Sequence, residues 1–380
     1  MSDTPSLRLD IEHFLATHWQ AKPLLVRDAI SHFQPPIDAD ELAGLAMEEE
    51  VESRIIEQAE DDWRLHHGPF VEQDYQRAPP WTLLVQAVDH YVPEVADLRR
   101  LFDFIPQWRM DDIMVSYATD GGGVGPHFDN YDVFLLQGEG ERLWRVGQLC
   151  DNSTALLPHD DLRILAGFET QEEYLLQPGD MLYIPPGVGH WGIARGECTT
   201  FSIGFRSPRT SDIVSRWVDR LLEQLPDDEF YVDPRLEPAA RPGELRPRDM
   251  QRVMAQLQGA LDQASGNRWF GELVSEPKYV GEVVVGDPEG WRALLEGEQA
   301  LLDSAARLFW ELQEDGVMVY ANGLSELFDL DVLPFVEGLC ERRACNGDDL
   351  GKLSAGSVPG EELTRLLQYL FVTGCLYVEG

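Results

Sequence analysis

The 380-residue sequence predicts an α+β protein whose centre is a sandwich or barrel of many short strands, with helices before and after it. Three observations carry this expectation. Between Asp112 and Phe205, short apolar runs are separated by Gly, Pro and Asp: IMVSYAT, DVFLLQ, RLWRVG, EYLLQ, MLYIP, HWGIA and TTFSIGF. Both flanks instead carry apolar residues at spacings of three and four. The chain is also longer than one ordinary core serves, at about 100 to 200 residues per domain, so two or three folded units are expected.

The elements follow in order. IEHFLATHWQ reads as an amphipathic helix, and the proline in KPLLVRDAI turns the chain into an extended piece. From about Asp38 to Arg109, acidic segments mix with patches such as WTLLVQAVDHYVPEVADLRRLF, where Leu83, Leu84, Ala87 and Val88 recur at helical spacing; this region is expected to be helical cover. Within the strand-rich stretch, Pro178, Gly179 and Asp180 predict a turn between two strands. Beyond it, SDIVSRWVDRLLEQL places Ile213, Trp217, Leu221 and Leu222 on one helix face, with Ser211 or Asp212 near the N-cap. A proline-rich connection leads to a second helix striped by Met250, Val253, Met254, Leu257 and Leu261. From Tyr279 to Gly380 the expectation is a mixed α/β unit. It has a helix around LLDSAARLFWEL, strands at VMVYAN and CLYVEG, and helices around LPFVEGLCE and GEELTRLLQYLF. Helices ending in a short β-wing fit a winged-helix shape.

Composition narrows the function classes. A chain with 43% hydrophobic and 10% aromatic residues is globular and not extensively disordered. Its 68 acidic residues outnumber 30 basic ones for a formal charge of −38, which repels phosphate and anionic lipid and attracts basic partners. The segment from Tyr279 onward is itself acid-rich, so direct nucleic-acid binding is not expected. The start, MSDTPSLRLDIEHFL, lacks the basic opening and apolar run of a secretory signal, and no uncharged stretch reaches about 18 residues; a cytoplasmic location without membrane contact is expected. The cysteines Cys150, Cys198, Cys340, Cys345 and Cys375 are scattered, which fits reduced thiols, and Cys340 with Cys345 lacks the second pair of a zinc signature.

The chemistry concentrates in GGGVGPHFDNYDVFLLQ and PGDMLYIPPGVGHW. His127 and Asp129, two residues apart and entering a strand, are expected to point to one face, and His190 after the turn of a later strand is expected to return to the same point. Two imidazoles and one carboxylate leave three octahedral positions open, the pattern of non-haem Fe(II) oxygenases. Three histidines in a closed tetrahedron would suggest zinc instead. The same spacing recurs at His159, Asp160 and Asp161, but in polar TALLPHDDLR, which reads as a solvated turn. His127 differs because the Gly-Gly-Gly-Val-Gly-Pro approach lets backbone come close to a ligand and an apolar strand follows. In RLWRV, Arg142, Trp144 and Val146 share one strand face and Arg145 takes the other.

Together, HWQAKPLLVRDA, GGGVGPHFDNYDVFLLQ, ERLWRVG and PGDMLYIPPGVGHW resemble JmjC-type, cupin-like oxygenases, especially the bacterial ribosomal oxygenases that hydroxylate an arginine of large-subunit ribosomal protein L-sixteen. The resemblance implies a double-stranded β-helix (JmjC/cupin barrel) over residues 1–207, a helical dimerisation segment over 208–278 and a winged-helix-like domain over 279–380. It implies Fe(II), 2-oxoglutarate and dioxygen as cofactor and cosubstrates, and His127, Asp129 and His190 as catalytic iron ligands. Arg142, with Ser116, would hold the distal carboxylate of 2-oxoglutarate. A target arginine would need a carboxylate and a flat aromatic wall, which Asp120 and Tyr131 beside the iron motif would provide. The partners implied are a basic ribosomal protein and a second copy of the chain. His18, Trp19, His66 and His67 are expected to be structural. Two alternatives stay open at this stage: a cupin-type metalloenzyme that does not use 2-oxoglutarate, and a winged-helix nucleic-acid-binding protein with a sensory barrel. The target side chain stays open between arginine and histidine.

Overall fold

The computed structural model describes residues 6–378, apart from 60–61, 79, 227, 229, 264–267, 280–284 and 354–358. They form two compact units, Met1–Ser207 and Pro208–Gly380.

The first unit holds eleven strands among the described residues: β1 Leu24–Val26, β2 Ser53–Ala59, β3 Asp62–His67, β4 Trp81–Val85, β5 Met110–Ala118, β6 Val133–Gln137, β7 Glu141–Leu149, β8 Glu172–Leu176, β9 Met181–Ile184, β10 Val188–Arg195 and β11 Cys198–Phe205. Eight of them make one antiparallel sheet in the order β1-β9-β6-β11-β5-β4-β2-β3, and the other three make a smaller one, β10-β7-β8. The large sheet is a middle layer. On β6, Phe134 and Leu136 join the core formed with Phe14, Leu42, Val88 and Phe102 of the helical segments. The alternate residues Val133 and Leu135 pack instead with Trp144 and Val146 of β7 and Leu176 of β8, on the small sheet. Burial on both faces explains why β6 reads as an unbroken apolar run instead of alternating.

The helical cover begins with Ile11–Thr17, capped by Asp10, whose carboxylate accepts the His13 N–H at 3.0 Å. Trp19 stacks on Tyr183 and the Gln20 N–H donates to the Tyr183 hydroxyl at 2.7 Å, pinning this segment to β9. Gly179 adopts φ +85 in the turn between β8 and β9, a conformation that favours glycine. Next to it, the buried Asp180 accepts the N–H groups of Gln177 and Asp28 and ties the turn to the chain after β1.

One expectation fails here. The Asp38–Arg109 region is not simply helical cover: it supplies β2, β3 and β4 to the large sheet. WTLLV is a strand with all five residues buried, Leu83 in the main core and Leu84 in a separate cluster with Ile56 and Trp63. A short apolar run buried on both faces satisfies a helical spacing as well as a strand, and partners from distant sequence decided the outcome. Helical cover does follow directly, at Val88–Tyr91 and Pro93–Ala96.

The second unit opens with helices Thr210–Gln224, Pro247–Gln263 and Arg268–Ser275. The first is preceded by Arg209 in the N-cap position and has no side-chain cap, so neither Ser211 nor Asp212 caps it. Its stripe is narrower than expected: Leu221 is buried but Leu222 is exposed. Two antiparallel three-stranded sheets follow, β13-β14-β15 (Leu308–Gln313, Gly316–Ala321, Leu324–Phe328) and β16-β12-β17 (Ala344–Asn346, Gln299–Leu302, Leu376–Val378). LLDSAARLFWEL is therefore two strand segments and not a helix. Asp303 breaks the run: its carbonyl accepts the Ala306 N–H and its carboxylate accepts the Ala305 N–H at 2.8 Å, making a turn. VMVYAN and CLYVEG contain strands β14 and β17, and the helices Leu333–Arg342 and Glu361–Val372 lie where expected. Leu366, Leu367, Leu370 and Phe371 of the last helix close this unit's core with Val317, Val319 and Phe335.

Candidate active site

His127 lies in the loop between β5 and β6, outside any strand, and not at the entry of one. It is fixed by an isolated antiparallel bridge to β10, in which the His127 N–H donates to the His190 carbonyl at 3.0 Å and the His190 N–H donates back at 2.8 Å. Beyond this bridge the Gly187 N–H donates to the Asp129 carbonyl at 2.8 Å and the Ala194 N–H donates to the Gly122 carbonyl at 2.9 Å, so the loop is held at both ends. The glycine approach also acts differently from the expectation. A Cβ on Gly123 would lie 2.3 Å from the Gly192 carbonyl oxygen, and one on Gly122 would lie 2.5 Å from that of Trp81. The missing side chains let the loop press against β10 and β4 backbone.

These constraints bring the three predicted residues together. One ligand atom from each of His127, Asp129 and His190 lies within 4.8 Å of the others. The Asp129 carboxylate is 3.6 Å from His190 Nε2 and 3.9 Å from His127 Nε2. Both rings use the same second contact: His127 Nδ1 lies 2.9 Å from the Gly125 carbonyl and His190 Nδ1 lies 3.0 Å from that of Val188. A carbonyl only accepts, so each Nδ1 carries the proton and each Nε2 presents its lone pair to the shared point. Burial, reinforced by the neighbouring His127, lowers the His190 pKa to about 4 and keeps the ring neutral near pH 7. Two neutral nitrogens and a carboxylate around one point suit a divalent cation with open positions.

Arg142 lies deeper, only 4% exposed, on the inward face of β7 with Trp144 and Val146. One of its terminal nitrogens is 3.4 Å from the hydroxyl of Ser116 on β5, which itself lies 3.5 Å from the Thr200 carbonyl. Its Nε and other terminal nitrogen are buried without a partner. An unpaired buried guanidinium is costly, and a carboxylate accepts two parallel hydrogen bonds from one. The residues present thus fit a cation at the triad and a carboxylate at Arg142. Arg145 faces outward, 2.9 Å from Glu173 and over the Trp191 ring.

Tyr131 is 44% exposed, and its hydroxyl meets Asp129, whose negative charge, with burial of the hydroxyl, holds the phenol proton well above its ordinary range. Asp120 is at the surface, where one carboxylate oxygen accepts the Gly196 N–H at 2.8 Å. His159 is not simply solvated: its Nε2 donates to the Trp63 carbonyl at 3.0 Å and its Nδ1 accepts the N–H groups of Asp161 and Leu162. His18 donates to the Pro23 carbonyl, and His66 lies beside Glu57. Sequence reasoning gave no role to the Gly125 and Val188 carbonyls, although each stands two residues before its histidine. Nor did it assign one to the Trp144 indole, whose nitrogen is buried and unpaired.

The JmjC domain family matches residues 97–213. The chain is 37% identical to the ribosomal protein uL16 3-hydroxylase of Escherichia coli (strain K12), over 98% of this chain and 99% of the relative. It is 36% identical to a probable ribosomal oxygenase of Haemophilus influenzae, over 89% and 86%. The solved structure of YcfD, a ribosomal oxygenase from Escherichia coli, in complex with cobalt and 2-oxoglutarate aligns with a TM-score of 0.84 at 34% identity, covering 99% of this chain and 100% of that one. Whole-length identity at this level, joined to the barrel and the His-Asp-His cluster, shows that the chain belongs to the JmjC-domain ribosomal oxygenases.

Proposed function

We propose that the protein is an Fe(II)- and 2-oxoglutarate-dependent hydroxylase of an arginine in a large-subunit ribosomal protein. The observation that carries this reading is the pairing, on either side of the Trp144 ring, of the convergent His127, Asp129 and His190 with a buried guanidinium that lacks partners for two of its nitrogens. The relative named for uL16 3-hydroxylation and the neighbour solved with cobalt and 2-oxoglutarate support the substrate and the cosubstrate.

In this reading His127, Asp129 and His190 hold the iron, with both imidazoles oriented by the carbonyls behind them. Arg142 and Ser116 hold the distal carboxylate, which sets the direction in which the cosubstrate lies. When bound, ferrous iron with 2-oxoglutarate and dioxygen supplies the oxidising equivalents that convert a C–H bond to C–OH, with succinate and carbon dioxide as co-products. Trp144, whose ring lies 5.9 Å from that of His190, packs with Leu135, Leu176 and Leu182 in an apolar cluster that would limit water on that side of the site. Tyr131 gives the target side chain an accessible aromatic face, and Asp120 keeps one carboxylate oxygen beyond its bond to Gly196 for a guanidinium. The formal charge of −38 favours encounter with a basic ribosomal protein.

Residues 208–278 serve as a dimerisation segment in this reading. Met250, Val253, Met254 and Leu257 are exposed along one helix, an apolar stripe that a second copy would cover. Residues 279–380 serve as a winged-helix-like domain without nucleic-acid binding, and the protein acts in the cytoplasm. Among the described residues no helix is long and apolar enough to cross a membrane.

The test is to incubate the iron-loaded protein with 2-oxoglutarate and the host's ribosomal proteins. The expected result is a gain of one oxygen on an arginine-containing peptide, absent with His127→Ala. Turnover of 2-oxoglutarate with every ribosomal peptide unchanged would sink the substrate assignment.

A further inference from the structure

Trp144 presents a second unsatisfied donor beside Arg142. It is 5% exposed, and its indole nitrogen is buried with no hydrogen-bond partner. Its ring centroid lies 5.8 Å from the Arg142 guanidinium carbon and 5.9 Å from the His190 ring. The far edge of the six-membered ring is locked in place: a Cβ on Gly192 would lie within 2.8 to 3.0 Å of three of its carbons. The indole therefore cannot slide along β10 to find a protein acceptor.

Tryptophan and arginine side chains donate hydrogen bonds and accept none. Two buried donor-only side chains, with the Arg142 guanidinium carbon 5.8 Å from the Trp144 ring centroid and three of their nitrogens lacking a partner, therefore call for an acceptor-rich guest beside them. An apolar guest would leave three donor nitrogens unsatisfied, and a cation would be repelled by the guanidinium. A carboxylate offers two oxygens, each able to accept more than one bond. We infer that the Trp144 indole N–H donates a hydrogen bond to the 2-oxoglutarate carboxylate held by Arg142, making Trp144 a positioning residue for the cosubstrate. This rests on the 2-oxoglutarate reading given above. The seat formed by Gly192 fixes the donor before the cosubstrate arrives, so little ordering is needed on binding.

The experiment uses full-length protein loaded with Mn(II), without dioxygen, so that binding is read without turnover. Affinities for 2-oxoglutarate and for 2-oxobutanoate, which has the keto acid end and no distal carboxylate, are measured by calorimetry for the wild type and Trp144→Phe. Loss of a hydrogen bond to a charged acceptor is expected to weaken 2-oxoglutarate on the order of 10-fold or more and to leave 2-oxobutanoate unchanged. Independently of any variant, ¹⁵N-tryptophan-labelled wild type is expected to show one indole N–H proton signal moving downfield when 2-oxoglutarate is added to the Zn(II)-loaded protein, with no such movement for 2-oxobutanoate. Equal weakening of both ligands in Trp144→Phe, or unchanged 2-oxoglutarate affinity, or no indole signal moving in the wild type, would overturn the assignment. If Trp144→Phe does not fold, the wild-type signal decides alone. A wild type that binds neither ligand more tightly than the other would overturn the 2-oxoglutarate reading itself, a separate result.

Discussion

Two stretches of this chain carry histidine and aspartate two residues apart, and they meet opposite fates. In His127-Phe128-Asp129, one imidazole nitrogen is tied to a carbonyl and the other is left facing Asp129 and His190. In His159-Asp160-Asp161, both nitrogens are consumed by backbone, Nε2 by the Trp63 carbonyl and Nδ1 by the Asp161 and Leu162 N–H groups. The first histidine keeps a lone pair for a ligand; the second spends its whole hydrogen-bonding capacity on holding a loop. The difference lies in what surrounds the ring, since the spacing is the same. A histidine two residues from an aspartate becomes a candidate ligand when backbone satisfies one nitrogen and a distant strand supplies a third group.

Breaking the first stretch has the largest expected effect. His127→Ala, Asp129→Ala or His190→Ala should each leave no detectable hydroxylation and lower Mn(II) affinity, while His159→Ala retains both; retained metal affinity in all three triad variants would end the comparison. Next comes the proposed cosubstrate contact on β7, which carries its own pair of contrasted residues. Arg142→Met should raise the apparent KM for 2-oxoglutarate roughly 30-fold or more, the equivalent of about 2 kcal/mol or more for truncating a buried charged contact. The same variant should leave the ligand-free protein as stable as the wild type or more so, by about 1 kcal/mol in guanidinium unfolding, because it removes a buried cation lacking partners. A wild type not stabilised by 2-oxoglutarate would contradict this account of Arg142.

His159→Ala sharpens the comparison from the other side. Loss of three hydrogen bonds to backbone should cost about 1–3 kcal/mol of stability in denaturant titration with metal binding intact. The smallest effect is expected at Arg145, the outward neighbour of Trp144. Its contacts with Glu173 and Trp191 are partly solvent-exposed, so Arg145→Ala should change stability by no more than about 1 kcal/mol and leave the KM for 2-oxoglutarate unchanged. A large KM change there would mean that the two arginines are not divided by strand face.

Much of the site was legible before any coordinates. The glycine-rich approach, the His-x-Asp pair and the later histidine singled out three positions, and the period of two on β7 separated Arg142 from Arg145. The second signal is local, since a strand alternates its side chains whatever it pairs with. The turn at Gly179 and the helix at Ile11–Thr17 were legible for the same reason, through a Pro-Gly-Asp run and through apolar residues at helical spacing. Where the apolar residues of a run satisfied helical spacing as well as a strand, the local signal was silent. WTLLV took a strand between β2 and β5, and LLDSAARLFWEL split into two strands around Asp303, the first paired with the distant β16 and β17 and the second with the adjacent β14.

By itself, then, the sequence determined the residue types at the site, their spacing along the chain and the opposite faces of Arg142 and Arg145 on β7, because those depend on covalent geometry and nearest neighbours. Only the tertiary structure decided which nitrogen of each histidine stays free, that the glycines serve backbone against backbone, and that Arg142 and Trp144 lie buried together with three nitrogens unpaired. Those outcomes depend on which groups from remote strands arrive within hydrogen-bonding distance, and burial then makes every unsatisfied donor costly enough to require a partner.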